Sequence, residues 1–318
     1  MSIFVAIAAY RDPWLWRTVH DCLAKAADPK AIRFGIVEQS ETPSRIAPES
    51  AAIARYLHVN HQFSRGVCWA RSLTYGLYQD EDYLLQIDSH MLFAPGWDRM
   101  LISKLEALAP VQPRAVISTY PYAFTETDGQ IRVQGAPGHA LVLRVVADSE
   151  FKNGSPVLMF EAAPTPATTP IVGCHVAAGC LFTRGAFVEA VPYDPRLYFH
   201  GEEQNLAIRA WTRGWDLFHV PDMPIFHLYK QPSPDAAVHW NAADDAARAF
   251  RFSDLQSEAA NRLRALVVEG RDLGVYGLGT ARSLADFAAF SGIDYPNLRL
   301  ERRAVTLPWA GKPQAFFF

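Results

Sequence analysis

Apolar residues fall in short blocks along this chain, and polar clusters close each block. Ile3 to Ala8 is the first, closed by Tyr10-Arg11-Asp12, and reads as a buried strand. Pro13 can open the helix that follows, which runs to about Ala27. Ile32 to Val37 is a second strand, ending at Glu38-Gln39. A polar Ser/Pro/Glu stretch separates it from a third, Tyr56 to Val59. Val67, Ala70, Leu73, Thr74 and Leu77 then recur at helical spacing within 66–78. Tyr83 to Ile87 is a fourth strand with Asp88 at its carboxyl end, Trp97 to Leu108 a helix, and Ala115 to Thr119 a fifth strand.

This alternation predicts an α/β protein with a parallel, doubly wound sheet in the first half. Such sheets bind ligands at the carboxyl ends of their strands. Arg11, Gln39 and Asp88 all fall there, which places them along one crevice. The stretch 120–185 differs: it is rich in Pro, Gly and Thr, and its short alternating runs predict antiparallel strands and loops. Glu202 to Arg213 is a helix stopped by Gly214, and short strands follow at Trp215–Phe218 and Pro224–Phe226, the second running into His227. From about Asp235 to Val268 the chain is Ala-rich and amphipathic, hence helical, and from Gly274 it carries a Gly-rich turn and another helix. The expected organisation is a core over 1–230 with a helical extension over 231–318 packed on it.

Composition narrows the function. A chain of 318 residues, 50% hydrophobic, buries a substantial core. Its net charge of −3, with basic residues scattered, argues against a nucleic-acid binder. The first ten residues lack a basic leader and a cleavage site, so they read as a strand and not as a secretory signal. No run reaches the roughly 18–20 apolar residues that span a bilayer. Cys22, Cys68, Cys174 and Cys180 have no metal-site spacing, and the expectation is four reduced, structural thiols in a cytoplasmic protein.

Candidate chemistry begins at Asp88-Ser89-His90. In an extended segment residues i and i+2 face one side, so the carboxylate and the imidazole can converge on one cation. A divalent ion there would neutralise charge on a phosphate leaving group. One carboxylate with imidazole suits manganese better than magnesium. The plain alternative is a strand-end Asp capping a turn beside a surface His. His227, between apolar neighbours, is either a further ligand or a satisfied core histidine. Glu202 and Glu203 open a helix behind Gly201, where they either complement the helix dipole or face a sugar or acceptor hydroxyl. Arg71 either reaches phosphate or makes a surface ion pair. Gly277-Leu278-Gly279 can hold phosphate on backbone amides, though the third Gly of the dinucleotide pattern is missing.

Taken together, the stretches IFVAIAAYRDPWLWRTV, FGIVEQ, GVCWARSLTYGLY, YLLQIDSHMLFAPGWD, FHGEEQNLAIRAWTRGWDLFHVP and YGLGTARSLADFAAFSGIDY resemble the cytosolic UDP-GlcNAc:polypeptide α-N-acetylglucosaminyltransferases. That family includes the enzyme that glycosylates hydroxyproline on a ubiquitin-ligase subunit. The resemblance runs from residue 3 to about 295. It implies a GT-A fold, a Rossmann-like doubly wound mixed sheet. It also implies a retaining transfer of GlcNAc from UDP-GlcNAc to a hydroxyl on a polypeptide or glycan, with a divalent metal, manganese or else magnesium. By similarity to the secretory polypeptide GalNAc-transferases, Asp88, His90 and His227 would be the metal ligands. Glu202 and Glu203 would be the catalytic pair. Tyr10, Arg11, Gln39 and Arg71 would form the nucleotide pocket, with Asp88, Ser89, Gly179 and Gly201 completing the donor site. Two other classes remain open: a two-histidine, one-carboxylate iron oxygenase, and a non-catalytic sugar- or peptide-binding module of the same fold.

Overall fold

The structure is a computed structural model, described for residues 1–46, 53–229 and 238–305. Strands β1 (Ile3–Tyr10), β2 (Ile32–Ser40), β3 (Ala54–Asn60) and β4 (Tyr83–Asp88) lie parallel in the order β3-β2-β1-β4. The inner strands β1 and β4 are almost wholly buried because helices cover both faces, whereas the edge strand β3 is half-exposed. On β1, Ile3, Val5 and Ile7 pack with Leu15, Val19, Trp97 and Leu101 of the Leu15–Lys25 and Trp97–Leu108 helices. Phe4 and Ala6 point the other way, into a cluster with Cys68 and Tyr75 of the Val67–Tyr75 helix and Leu206 and Ala210 of the Glu202–Thr212 helix. The strand's two-residue period thus builds two cores from one segment.

Next come β5 (Met91–Phe93), β6 (Ala115–Ser118), β7 (Tyr122–Thr127), β8 (Gln130–Val133), β9 (His139–Val145), β10 (Phe160–Pro166), β11 (Ile171–Gly173), β12 (Cys180–Arg184), β13 (Asp216–His219) and β14 (Ile225–His227). As the sequence pattern predicts, the middle is antiparallel: β7 pairs with β8 and β9 with β10. The main sheet departs from a purely parallel one. β12 inserts between β4 and β6, antiparallel to both, and β13 and β11 extend the far edge. Leu181 and Phe182 of β12 are fully buried, so the sheet gains its most apolar late strand at its centre. A smaller sheet, β5-β14-β7-β8, stands beside the ends of these strands.

The helix expected over 235–268 is two helices, and its first residues, 235–237, lie outside the described ones. Ala242–Ala247 and Phe252–Val267 are separated by an extended Arg248. The Asp245 carboxylate bonds both Arg248, at 2.7 Å, and the amide of Phe252, at 2.7 Å, which caps the second helix from outside it. Beyond the break, Leu263 and Leu266 share a buried cluster with Ile208, Trp211 and Phe287. The Gly277–Gly279 turn belongs to this packing. Gly279 N donates to Thr212 Oγ1 at 2.9 Å, and Arg213 donates to the carbonyl of Gly277 at 2.7 Å. The turn closes the end of the Glu202–Thr212 helix. Cys22, Cys68, Cys174 and Cys180 are all free and buried. Among the described residues, no helix is long and apolar enough to cross a membrane.

Candidate active site

Parallel pairing aligns the carboxyl ends of β1, β2 and β4, with Tyr10 opposite Gln39 and Ala8 opposite Asp88. Asp88 N donates to the carbonyl of Gly179 at 3.1 Å. A side chain at Gly179 would collide with the Asp88 carboxylate, so this glycine is what lets the acid lie against the β12 turn. After Asp88 the chain bends before β5, and this bend, not a continuing strand, turns Ser89 and His90 inward. Thr18 secures the bend: its hydroxyl donates to Ser89 O at 2.9 Å and accepts from Met91 N at 2.9 Å.

His227 arrives through the smaller sheet. It ends β14, which pairs antiparallel with β5 and sets His227 opposite Met91, next to His90. The two imidazole rings are 4.7 Å apart, and His227 Nε2 lies 3.3 Å from Asp88 Oδ2. One ligand atom from each of Asp88, His90 and His227 lies within 4.8 Å of the others. Asp12 stands behind them. Its buried carboxylate is 2.6 Å from His90 Nδ1 and accepts from Ser89 Oγ at 2.7 Å. The Ser89 hydroxyl is therefore committed to Asp12. His227 Nδ1 is buried without a hydrogen-bond partner among the described residues.

On the other side, Arg71 is buried and not at the surface. It donates to Asp88 Oδ1 and to Glu202 Oε1, each at 2.6 Å, and Tyr193 adds a 2.5 Å bond to Glu202. Burial pushes the Asp88 carboxyl up, but the hydrogen bond with His227 and the charges of Arg71, His227 and His90 outweigh it and hold the group far below the usual carboxylate range. Burial likewise opposes the charge on Arg71, and Glu202, Tyr193 and Asp88 more than restore it.

The acid–histidine cluster stands where two cavities meet. One, of about 360 Å³, is lined by Tyr10, Gln39, Ser64, Tyr198, His239 and Trp240. The other, of about 290 Å³, is lined by Arg71, Tyr120, Phe160, His175, Gly201 and Glu203, among others. Asp88, His227, Val67, Phe199 and Tyr229 line both. Of the residues expected here, Tyr10, Gln39, Arg71, Asp88, Ser89, His90, Gly179, Gly201, Glu202, Glu203 and His227 all border one cavity or both. Arg11 does not. Its backbone turns through a positive φ of 47°, and its guanidinium reaches away to Asp244 at 2.5 Å. The two glutamates are unequal: Glu202 is pinned by Arg71 and Tyr193, whereas Glu203, accepting from Ala178 N at 2.8 Å and from Tyr120, faces the second cavity.

Several lining residues carry no sequence signal. His239 sits in an irregular stretch, held between Tyr198 OH at 2.8 Å and Ser64 Oγ at 2.9 Å, and Ser64 bonds Gln39 in turn. Burial, aided by the nearby charge of Arg248, lowers its pKa to about 4, so it is neutral near pH 7. His175 and Tyr120 lie in the loop-rich middle. Asp12 was legible only as part of a polar strand end.

A glycosyltransferase (GlcNAc) family model matches residues 2–53 and 49–297. No curated protein matches the chain. Among solved structures, GalNAc-T7 with UDP, GalNAc and Mn2+ aligns over 91% of this chain and 56% of its own, at 16% identity and a TM-score of 0.59, a likeness of fold. The chain thus spans little more than half of that protein. TarS 1–349 of S. aureus in complex with UDP-GlcNAc aligns over 83% of this chain and 73% of its own, at 13% identity and a TM-score of 0.41. The Rossmann-like mixed sheet is that of a GT-A glycosyltransferase.

Proposed function

The chain belongs to the GlcNAc glycosyltransferase family, and from that premise we propose that it is a metal-dependent, retaining transferase moving GlcNAc from UDP-GlcNAc to a hydroxyl, with a polypeptide as acceptor. The observation that carries the reading is the cluster of Asp88, His90 and His227 at the junction of two cavities. A nucleoside diphosphate sugar has the same layout: a base, a diphosphate and a sugar in line.

The residues fit a divalent cation. They offer one carboxylate oxygen and two ring nitrogens, a donor set that suits manganese. Asp12 fixes the proton of His90 on Nδ1 and leaves Nε2 as a lone-pair donor. His227 turns its Nε2 to within 3.3 Å of Asp88 Oδ2, where a ring nitrogen and the carboxylate can share one ion. Bound there, the ion would neutralise the diphosphate as the sugar–phosphate bond breaks.

The chain's own groups do the rest. The cavity of Tyr10, Gln39 and His239 seats the base, with Gln39 oriented by its bonds to Ala9 O and Ser64. The second cavity takes the sugar, where Glu203 orients it and supports positive charge at the anomeric carbon. Arg71 supplies a buried positive charge beside the leaving group, and Glu202 acts through Arg71 as a positioning residue. The acceptor oxygen bonds to the anomeric carbon on the face that the phosphate oxygen leaves. That departing oxygen takes the acceptor's proton, so the chain need supply no strong base. The same donor set suits ferrous iron, but a Rossmann-like sheet in a transferase family gives that reading no support. Manganese-dependent release of UDP from UDP-GlcNAc tests the proposal. No release and no donor binding would oppose it.

A further inference from the structure

The second cavity contains a buried polar group that the chemistry above leaves unused. His175 is 2% exposed, and its ring lies flat on Phe160, with centroids 3.4 Å apart and planes within 5°. The residue lines the cavity, and its buried Nε2 has no hydrogen bond among the described residues and lies 3.5 Å from Glu203 Oε2. A buried polar atom left unpaired is costly, so such a group beside a cavity marks where a ligand atom supplies the missing bond. Burial keeps this ring neutral near pH 7. One of its nitrogens therefore carries a proton, while the carboxylate beside it can only accept.

The wall thus presents a hydrogen-bond donor and an acceptor side by side. Leu158, Met159 and Phe160 form an apolar margin next to them. A secondary amide with a short acyl tail matches all three features: its N–H donates to the carboxylate, its carbonyl accepts from the imidazole, and its methyl rests on the apolar margin. A plain hydroxyl can donate to the carboxylate and accept from the imidazole, but it leaves the apolar margin empty. Glu203 has capacity to spare, because each carboxylate oxygen holds two lone pairs and each has one bond so far, from Ala178 N and from Tyr120.

We propose that His175 and Glu203 form the subsite that reads the 2-acylamino group of the donor sugar, and so set the choice of an N-acetylhexosamine over a hexose. The inference rests on the sugar-donor reading of this cavity. A hexose offers no acyl group to cover Leu158, Met159 and Phe160, so it forfeits the apolar contact that the acylamino sugar makes. The subsite is blind to the configuration of carbon 4, so it treats UDP-GlcNAc and UDP-GalNAc alike.

The test is calorimetric binding of UDP, UDP-GlcNAc, UDP-GalNAc and UDP-glucose, with manganese, to the wild-type chain and to His175→Leu and His175→Gln. The expected result is tighter wild-type binding of both acylamino donors than of UDP-glucose. His175→Leu should weaken both about tenfold or more while UDP itself binds as before, and His175→Gln, which keeps a donor, should restore part of the loss. If the wild type binds UDP-glucose as tightly as UDP-GlcNAc, or if His175→Leu weakens all four ligands equally, this assignment is overturned while the donor reading stands. If no UDP-sugar binds better than UDP, both fall.

Discussion

Asp12 Oδ2 lies 2.6 Å from His90 Nδ1, across 78 residues of chain, and joins the first strand end to the metal-type cluster at the fourth. A carboxylate on the far nitrogen of a ligand histidine fixes its tautomer and raises its basicity. Removing such a partner typically costs 10- to 100-fold in metal affinity. Asp12→Asn should therefore weaken manganese binding by about that factor, measured by electron paramagnetic resonance of free Mn2+, with little change in thermal midpoint. Unchanged affinity would remove Asp12 from this role.

Gly179 makes a separate prediction about the same cluster. A methyl there would occupy space held by the Asp88 carboxylate. Gly179→Ala should displace Asp88 and lower manganese affinity, while buried strands on either side keep the fold. Gly201 serves as a comparison: it has φ +87° and a side chain there would meet Leu263 at 2.9 Å, so Gly201→Ala should destabilise the chain as well. Wild-type manganese affinity in Gly179→Ala would mean that the close approach does not matter.

Arg71 holds two carboxylates, and it is itself buried. Breaking a buried pair by deleting one partner leaves uncompensated charge and costs about 3–5 kcal/mol. Arg71→Ala should lose that order of stability in urea denaturation followed by circular dichroism. A loss under about 1 kcal/mol would show that the carboxylates are satisfied without it.

His219 and His239 give the stability a pH dependence. Burial lowers both to about 4, from the usual value near 6.5. Between those values the unfolded chain binds more protons, so stability is complete above about 6.5 and is lost as pH falls toward 4. The urea midpoint should drop between pH 7 and pH 4.5. His239→Gln, which cannot titrate, should drop less steeply. An equal slope in the variant would contradict the assignment to His239.

The fold was legible where residues act locally. Alternating apolar blocks marked β1, β2 and β4 to within three residues at their ends, and Trp97–Leu108 at both ends, because burial on two faces leaves a local trace. The insertion of β12 between β4 and β6 was not legible, since antiparallel pairing across about a hundred residues has no local signature. The same division runs through the site. Asp88 and His90 stood out by spacing, whereas His175 and His239 acquire meaning only from what surrounds them. Arg11 follows β1 as its place in the sequence implies, but its backbone takes a positive φ and its guanidinium bonds Asp244, a direction that a strand-end position does not reveal. The Ala-rich stretch near 248 looked continuous because helix propensity is local, while the break is set by Asp245 bonding forward to Phe252.

In the proposed function, Asp88, His90 and His227 make the use of UDP-GlcNAc depend on manganese. The most direct measurement is release of UDP from a panel of nucleotide sugars by the purified chain, with and without manganese, beside a His90→Ala variant. The expected result is release from UDP-GlcNAc that needs manganese and is largely lost in His90→Ala, with the variant still folded by circular dichroism. Release that persists without any divalent metal, or that His90→Ala leaves intact, would contradict it.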